Sequence, residues 1–183
     1  MIKQKVILSL DSLYRVVRDV KSEGRRIGLT HGAFDLFHYS HLDLLRKSSA
    51  ICDFLIVAVD SDKSVAKYKT YKRPIINEFH RTRIINELNC VDAVFIKDIE
   101  FNRQSHIELY KKLLVDVITI GIGFESRFKD LIEKEAEQAG AQLIEIKTYQ
   151  NPTTTSIIDS IVDKYNKDDS MPIQTEEVVN LYH

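Results

Sequence analysis

The strongest constraint on this chain is a repeating alternation. Short apolar runs, RIGLT (26–30), FLIVAV (54–59), DAVFI (92–96), DVITIG (116–121) and QLIEIK (142–147), are separated by stretches whose apolar residues recur three and four apart. A strand with one wet face alternates in hydropathy, and FLIVAV does not, so it is expected to be buried on both faces. Helical spacing is read from residue 39 through HLDLLRKSSA, near 78–89, around 104–114 and over 127–139, the last ended by Gly140. Buried strands separated by amphipathic helices predict a doubly wound, five-stranded parallel α/β sheet with helices on both faces. Before the first run, Leu13, Val16, Val17 and Val20 predict a lead-in helix over about 10–24, with Asp11 capping its start and Gly24 stopping it. Pro152 followed by TTTSIIDSIVDKY predicts one further helix.

A chain of 183 residues is long enough for one domain with a sizeable core. We expect a domain over 1–165 and a mobile tail over 166–183, where the polar stretch NKDDSMPIQTEEVVNLYH is broken by Pro172. A formal net charge of -1 gives no basic excess for nucleic acid. No apolar run approaches the roughly 20 residues that span a bilayer, and no signal-peptide pattern opens the sequence, so neither nucleic acid nor membrane is expected as a partner and the expected compartment is the cytoplasm. Cys52 and Cys90 sit in apolar surroundings without metal-ligand spacing and read as buried fillers.

THGAFDLFHYSH (30–41) falls where the first strand gives way to helical spacing. In an open parallel sheet, ligands bind beyond the carboxyl ends of the strands, where strand order reverses. Gly32 is expected to let the turn bring backbone amides close to a ligand, and the following helix entrance offers free N–H groups and a positive dipole end, which suits phosphate. His38 and His41, three apart, share one helix face and can both donate to phosphate oxygens. Phosphoryl-type transfer needs positioning and charge neutralisation more than a nucleophile. An HxxH pair can equally be structural or half of a metal site, and Ser40 with Asp43 matches a helix capping box.

GAFDLFHYSH resembles the G-x-F-D-x-x-H-x-G-H signature of the nucleotidyltransferases of the cytidylyltransferase-like superfamily. The stretch 55–95 is similar to that family's second block, through Lys69, Arg73, Pro74 and Arg81, and Thr153, Thr154 and Thr155 resemble its third. The resemblance implies a Rossmann-like fold and transfer of a nucleotidyl group from a nucleoside triphosphate to a phosphorylated acceptor with release of pyrophosphate. It implies His38, His41 and Lys69 as catalytic residues. It implies contacts to the nucleotide from Thr30, Gly32, Ala33, Phe34, Ser40, Arg81, Gly121, Thr153, Thr154 and Thr155, and to the acceptor from Asp35, Arg73, Glu125 and Arg127. Asp35 is also expected to brace the loop through amide hydrogen bonds, and Asp60 and Asp62 to cap the next helix. Mg2+ is expected to arrive with the nucleotide, with no dedicated protein cage. A homodimer is implied by the family, and the apolar positions of the lead-in helix and of VVNLY in the tail point the same way.

Within the superfamily, residues 9–92 look most like heptose-1-phosphate adenylyltransferases, while GIGFESRF (121–128) resembles a stretch of the glycerol-3-phosphate cytidylyltransferases. Three positions depart from the pattern. Ser40 replaces the Gly between the histidines, Ile122 and Gly123 stand where an acidic residue is common, and Asn151, Pro152 and Ser156 replace a Gly and a frequent Lys. A degenerate relative that binds nucleotide or sugar phosphate without turnover is therefore the second reading.

Overall fold

The computed structural model describes residues 7–99, 102–122, 126–149 and 152–167, with only the backbone of 126, 127 and 167. Along the chain run α1 (Leu10–Ser22), β1 (Ile27–Gly32), α2 (Tyr39–Ser49), β2 (Phe54–Asp60), α3 (Asp62–Tyr68), α4 (Glu78–Asn86), β3 (Ala93–Lys97), α5 (Arg103–Lys112), β4 (Val117–Gly121), α6 (Ser126–Ala139), β5 (Gln142–Ile146) and α7 (Thr154–Lys167). The strands pair in parallel in the order β3-β2-β1-β4-β5. The chain winds outward from β1 to β3, then crosses back to β4, so strand order reverses between β1 and β4. This is the doubly wound sheet that the alternation predicts. No helix of the described residues is long and apolar enough to cross a membrane.

Alternation along each strand builds two cores. One face presents Ile27, Leu29, Ile56, Ala58, Ala93, Phe95, Ile118 and Ile120 to Leu13 and Val17 of α1, Leu109 and Tyr110 of α5, and Ile132 and Ala136 of α6. The other presents Leu55, Val57, Val59 and Val94 to Leu45 of α2, Ile85 of α4 and Phe34. All seven residues of β2 are buried, as the unbroken apolar run requires. Each such aliphatic side chain contributes roughly 1.5–3 kcal/mol on leaving water, so both layers of helices are held by the same central strands. The apolar positions of α1 lie in the first core, which removes that argument for a dimer; VVNLY lies outside the described residues.

Several local expectations change. β1 runs two residues beyond RIGLT because His31 and Gly32 pair with Ala58 and Val59 of β2. Ser9 caps α1 by accepting from the Ser12 amide at 3.3 Å, and Asp11 lies inside the first turn; Gly24 does leave the helix, at φ 72°. Ser61 caps α3, so neither Asp60 nor Asp62 does. The Ser40–Asp43 capping box does not form, since α2 begins at Tyr39 and Ser40 already has helical backbone. Its hydroxyl donates instead to the Pro152 carbonyl at 3.1 Å, while Asp43 Oδ2 accepts from Lys47 Nζ at 2.7 Å and the Tyr149 amide at 3.2 Å.

Cys52 and Cys90 are half-buried, and burial pushes the Cys52 thiol up to about 11, which disfavours its thiolate and suits a packing role. A Cβ at Gly28 would stand 2.6 Å from Cys52 Sγ. Gly28→Ala should therefore cost about 1–3 kcal/mol in urea unfolding. Adding Cys52→Ala should recover most of that loss; additive losses would show that the two residues do not limit each other.

Candidate active site

The β1–α2 loop sits at the carboxyl ends of β1 and β4, where strand order reverses. Its sharp course is not carried by Gly32, which ends β1 and would bring a Cβ only to 3.6 Å from the Phe34 ring. Phe34 and Leu36 take the left-handed backbone instead, at φ 50° and 45°. Non-glycine residues hold that conformation only where their surroundings enforce it, and Asp35 between them does so. Its Oδ1 accepts from the Leu36 and Ile76 amides at 3.1 and 3.0 Å, and its Oδ2 from the Ile75 amide at 2.9 Å and Arg73 Nε at 2.8 Å. Burial opposes ionisation of Asp35; the Ile76 and Ile75 amides and Arg73 outweigh it and hold the carboxyl below its usual range. With both oxygens occupied, Asp35 braces the loop as expected from its amide hydrogen bonds, and it also borders the cavity.

His38 occupies the N-cap position of α2 without a side-chain capping bond, and His41 lies within the first turn. Their rings stack at 3.8 Å and 24°, with Phe34 edge-on to His41 at 5.4 Å and Phe37 at 5.6 Å. Burial pushes His41 down to about 3, with the neighbouring His38 adding to the effect, and burial also lowers His38. Both rings are therefore neutral near pH 7, each with one N–H to donate. Nδ1 of each is buried and has no partner among the described residues.

Across the cavity stands the N-terminus of α7. Thr153 Oγ1 accepts from the Ser156 amide at 3.1 Å, and Ser156 Oγ accepts from the Thr153 amide at 2.9 Å. Thr154 Oγ1 donates to the Asp35 carbonyl at 2.9 Å. Together with the Ser40–Pro152 bond, this fastens α7 to the β1–α2 loop, so two helix entrances face one cavity of about 630 Å3. Thr155, exposed at the start of α7, borders it too.

Thr30, Gly32, Ala33, Phe34, Lys69, Arg73 and Gly121 also line this cavity. The Thr30 hydroxyl donates to the Thr119 carbonyl at 3.0 Å, so Thr30 contributes shape more than a donor. Lys69 is exposed just beyond α3, its ammonium 5.9 Å from the Tyr68 ring centre. Arg81 departs from expectation. It is 1% exposed, and its guanidinium donates to the carbonyls of Ile76 (2.8 Å), Asp60 (2.8 Å) and Ala33 and to Asp62 Oδ1 (2.7 Å). These bonds use four of its five donors, so Arg81, expected at the nucleotide, ties together the loops behind the cavity. Glu125 and the Arg127 side chain lie outside the described residues.

A second wall escaped the sequence reading. Lys97 Nζ lies 2.8 Å from Asp60 Oδ1 and 3.4 Å from His31 Nδ1, and His31 Nε2 lies 3.3 Å from the Tyr110 hydroxyl. Tyr68 donates to Asp60 Oδ2 at 2.7 Å, and His106 Nδ1 lies 3.3 and 3.2 Å from the two Glu135 oxygens. Burial, then Lys97, lowers His31 to about 3. Burial opposes ionisation of Asp60, and Lys97 and the Tyr68 hydroxyl still hold its carboxyl low. The available signal was parity: His31, Asp60 and Lys97 each continue the face of their strand that is apolar below them. Among the described residues no group of three or more His, Cys, Asp or Glu is arranged to hold a metal ion.

The doubly wound parallel sheet thus carries two helix entrances and a pair of stacked imidazoles at its switch point. The family described as cytidylyltransferase-like matches residues 29–160, and the chain belongs to it. The bifunctional protein HldE of Geotalea uraniireducens is 33% identical over 156 residues, 85% of this chain and 31% of that protein; HldE of Geobacter metallireducens is 31% identical over 163 residues, 88% and 32%. The chain thus spans about a third of the length of these curated relatives. Among solved structures, the lipopolysaccharide core biosynthesis protein from Thermoplasma volcanium GSS1 superposes with a TM-score of 0.56 at 25% identity, covering 69% of this chain and all of that one. Pantoate-beta-alanine ligase from Francisella tularensis gives 0.60 at 13% identity over 90% and 80%, a likeness of fold alone.

The buried imidazoles impose a pH dependence on stability. His31, His38 and His41 bind protons less readily in the folded chain than at the ordinary 6.5, so the unfolded chain takes up more protons as pH drops. Their stabilisation is present above 6.5 and is lost as pH falls from 6.5 toward 3. Asp35 and Asp60 add their own loss only below about 4, so the histidines dominate between about 6 and 4.5. Urea midpoints should fall across that window and fall less steeply in His31→Asn and His41→Asn; equal slopes would mean that the native rings are already charged.

Proposed function

We propose that this chain transfers a nucleotidyl group from ATP or CTP to a phosphorylated sugar or polyol, with a heptose-1-phosphate-like acceptor favoured. An oxygen of the acceptor phosphate attacks the α-phosphorus in line, the bond from that phosphorus to the bridging oxygen of the β-phosphate breaks, and pyrophosphate leaves with the electron pair. The observation that carries this reading is the stacked, neutral His38–His41 pair at the α2 entrance, facing the α7 entrance across one cavity. Neutral donors and helix dipoles stabilise charge that grows on phosphate oxygens without requiring a proton to move. In this reading His38 and His41 hold the bridging and α-phosphate oxygens, and Lys69 serves as a flexible point charge for the α- or acceptor phosphate. The nucleotide lies along Gly32 to Phe34, Ser40 and Gly121, with Thr153 and Thr155 at its phosphates and Arg73 on the acceptor side. Among the described residues the carboxylates bordering the cavity, Asp35, Asp60 and Glu135, each have a cationic or imidazole partner, which supports a Mg2+ carried in on the triphosphate. The cytoplasm is the compartment we assign.

A glycerol-3-phosphate acceptor with CTP is the second reading, supported by GIGFESRF. Pyrophosphate release from ATP, CTP, GTP and UTP against heptose, pentose, glycerol and alditol phosphates separates the two. Silence across the panel with nucleotide binding intact would instead identify a binding module. His41→Ala should lower kcat by about 10²–10³ with little change in nucleotide affinity, the effect of removing one oriented donor worth roughly 2.7–4 kcal/mol; an unchanged kcat would make the pair structural. We also propose a homodimer, which light scattering at micromolar concentration should register as twice the chain mass; a monomer would refute it.

A further inference from the structure

The cavity has two unlike walls. One carries His38, His41 and the helix entrances. The other, on the face covered by α5 and α6, carries His31, Asp60 and Lys97 at three strand ends directly above Leu29, Ala58 and Phe95, with His106 and Glu135 from the covering helices. Continuing the apolar core upward would avoid the desolvation cost of these groups, so their presence needs a chemical reason. They are ordered in depth. Glu135 is fully buried behind His106, and Asp60 pairs with Lys97, while His106 and Lys97 show only 6% and 4% of their surface. Lys97 Nζ forms an ion pair with Asp60 at 2.8 Å and lies 3.4 Å from His31 Nδ1.

The charges decide what such a wall accepts. Two carboxylates stand against one lysine, and His31 is neutral. No net positive charge remains for a phosphate, whose natural place is the opposite wall. A hydroxyl group, both donor and acceptor, matches an ammonium N–H and an imidazole held by a carboxylate.

We propose that Lys97 and His106 contact free hydroxyl groups on the carbon chain of the acceptor, with Asp60 and Glu135 as positioning residues behind them. The inference rests on the nucleotidyl-transfer reading above. It makes the acceptor a phosphate ester whose skeleton carries several hydroxyls, and excludes simple alkyl and aminoalkyl phosphates.

Two measurements on the full chain test it. In wild type, kcat/KM for the best sugar or alditol phosphate should exceed that for propyl phosphate by at least about 100-fold, because a site built for hydroxyls penalises their loss. Glu135→Gln should raise the KM for the hydroxylated acceptor about tenfold with the triphosphate KM within about threefold, and should raise the KM for propyl phosphate, which has no hydroxyl to meet His106, by less than about threefold. Equal use of propyl phosphate, preference for phosphoethanolamine, or parallel losses with both acceptors would overturn the proposal. NMR of the His31 and His106 imidazoles needs no turnover: their signals should shift with sugar or glycerol phosphates and stay fixed with propyl phosphate. Turnover without those shifts would overturn the wall alone. Shifts without turnover would overturn the transfer reading and leave the wall standing, and the absence of both would overturn the two together.

Discussion

The carboxylate of Asp35 is the interaction on which the site depends. It gathers the amides of Leu36, Ile75 and Ile76 and the Arg73 guanidinium, while the carbonyl of the same residue receives Thr154 from α7. Three segments far apart in sequence, the β1–α2 loop, the approach to α4 and the start of α7, thus share one residue. Arg81 repeats the device with opposite charge, joining Ile76, Ala33, Asp60 and Asp62. Hydrogen bonds to charged groups contribute about 1.5–3 kcal/mol each, and a buried charge deprived of its partners costs more than the bonds were worth. The strained Phe34 and Leu36 backbone is affordable only inside this lattice.

That lattice explains what was and was not legible in the sequence. The sheet was legible because burial on both faces leaves runs such as FLIVAV without alternation, a local signal that needs no partner. The histidine pair was legible because its spacing and its place after β1 are local too. Asp35 and Arg81 were visible as residues, but their roles depend on contacts that reach as far as 41 and 48 positions along the chain, which no short window of sequence contains. Arg81 within EFHRTRIIN carries no local sign that its guanidinium is buried. Only the fold shows that four backbone and side-chain oxygens enclose it.

Ser40 is the same lesson at one atom. Its spacing to Asp43 fits a capping box, and it stands where the family pattern has a glycine between the histidines. The side chain instead reaches the Pro152 carbonyl, 112 residues on, and helps hold α7 opposite α2. A glycine there has no hydroxyl for that bond, so the departure from the family pattern adds a fastening between the two helix entrances.

The two walls also explain each other. Two imidazolium rings stacked at 3.8 Å would repel by about 4 kcal/mol at an effective dielectric constant of 20, so the phosphate site we propose is built on neutral donors. Burial removes that repulsion by keeping the rings neutral, and the helix entrances supply the positive potential in their place. Lys97 lies on the opposite side of the sheet edge, its charge matched by Asp60, so it adds little to the field at the phosphates. The sheet's alternation therefore does more than divide two cores: at the strand ends the same parity separates the wall that carries the helix entrances from one whose lysine already has a carboxylate partner.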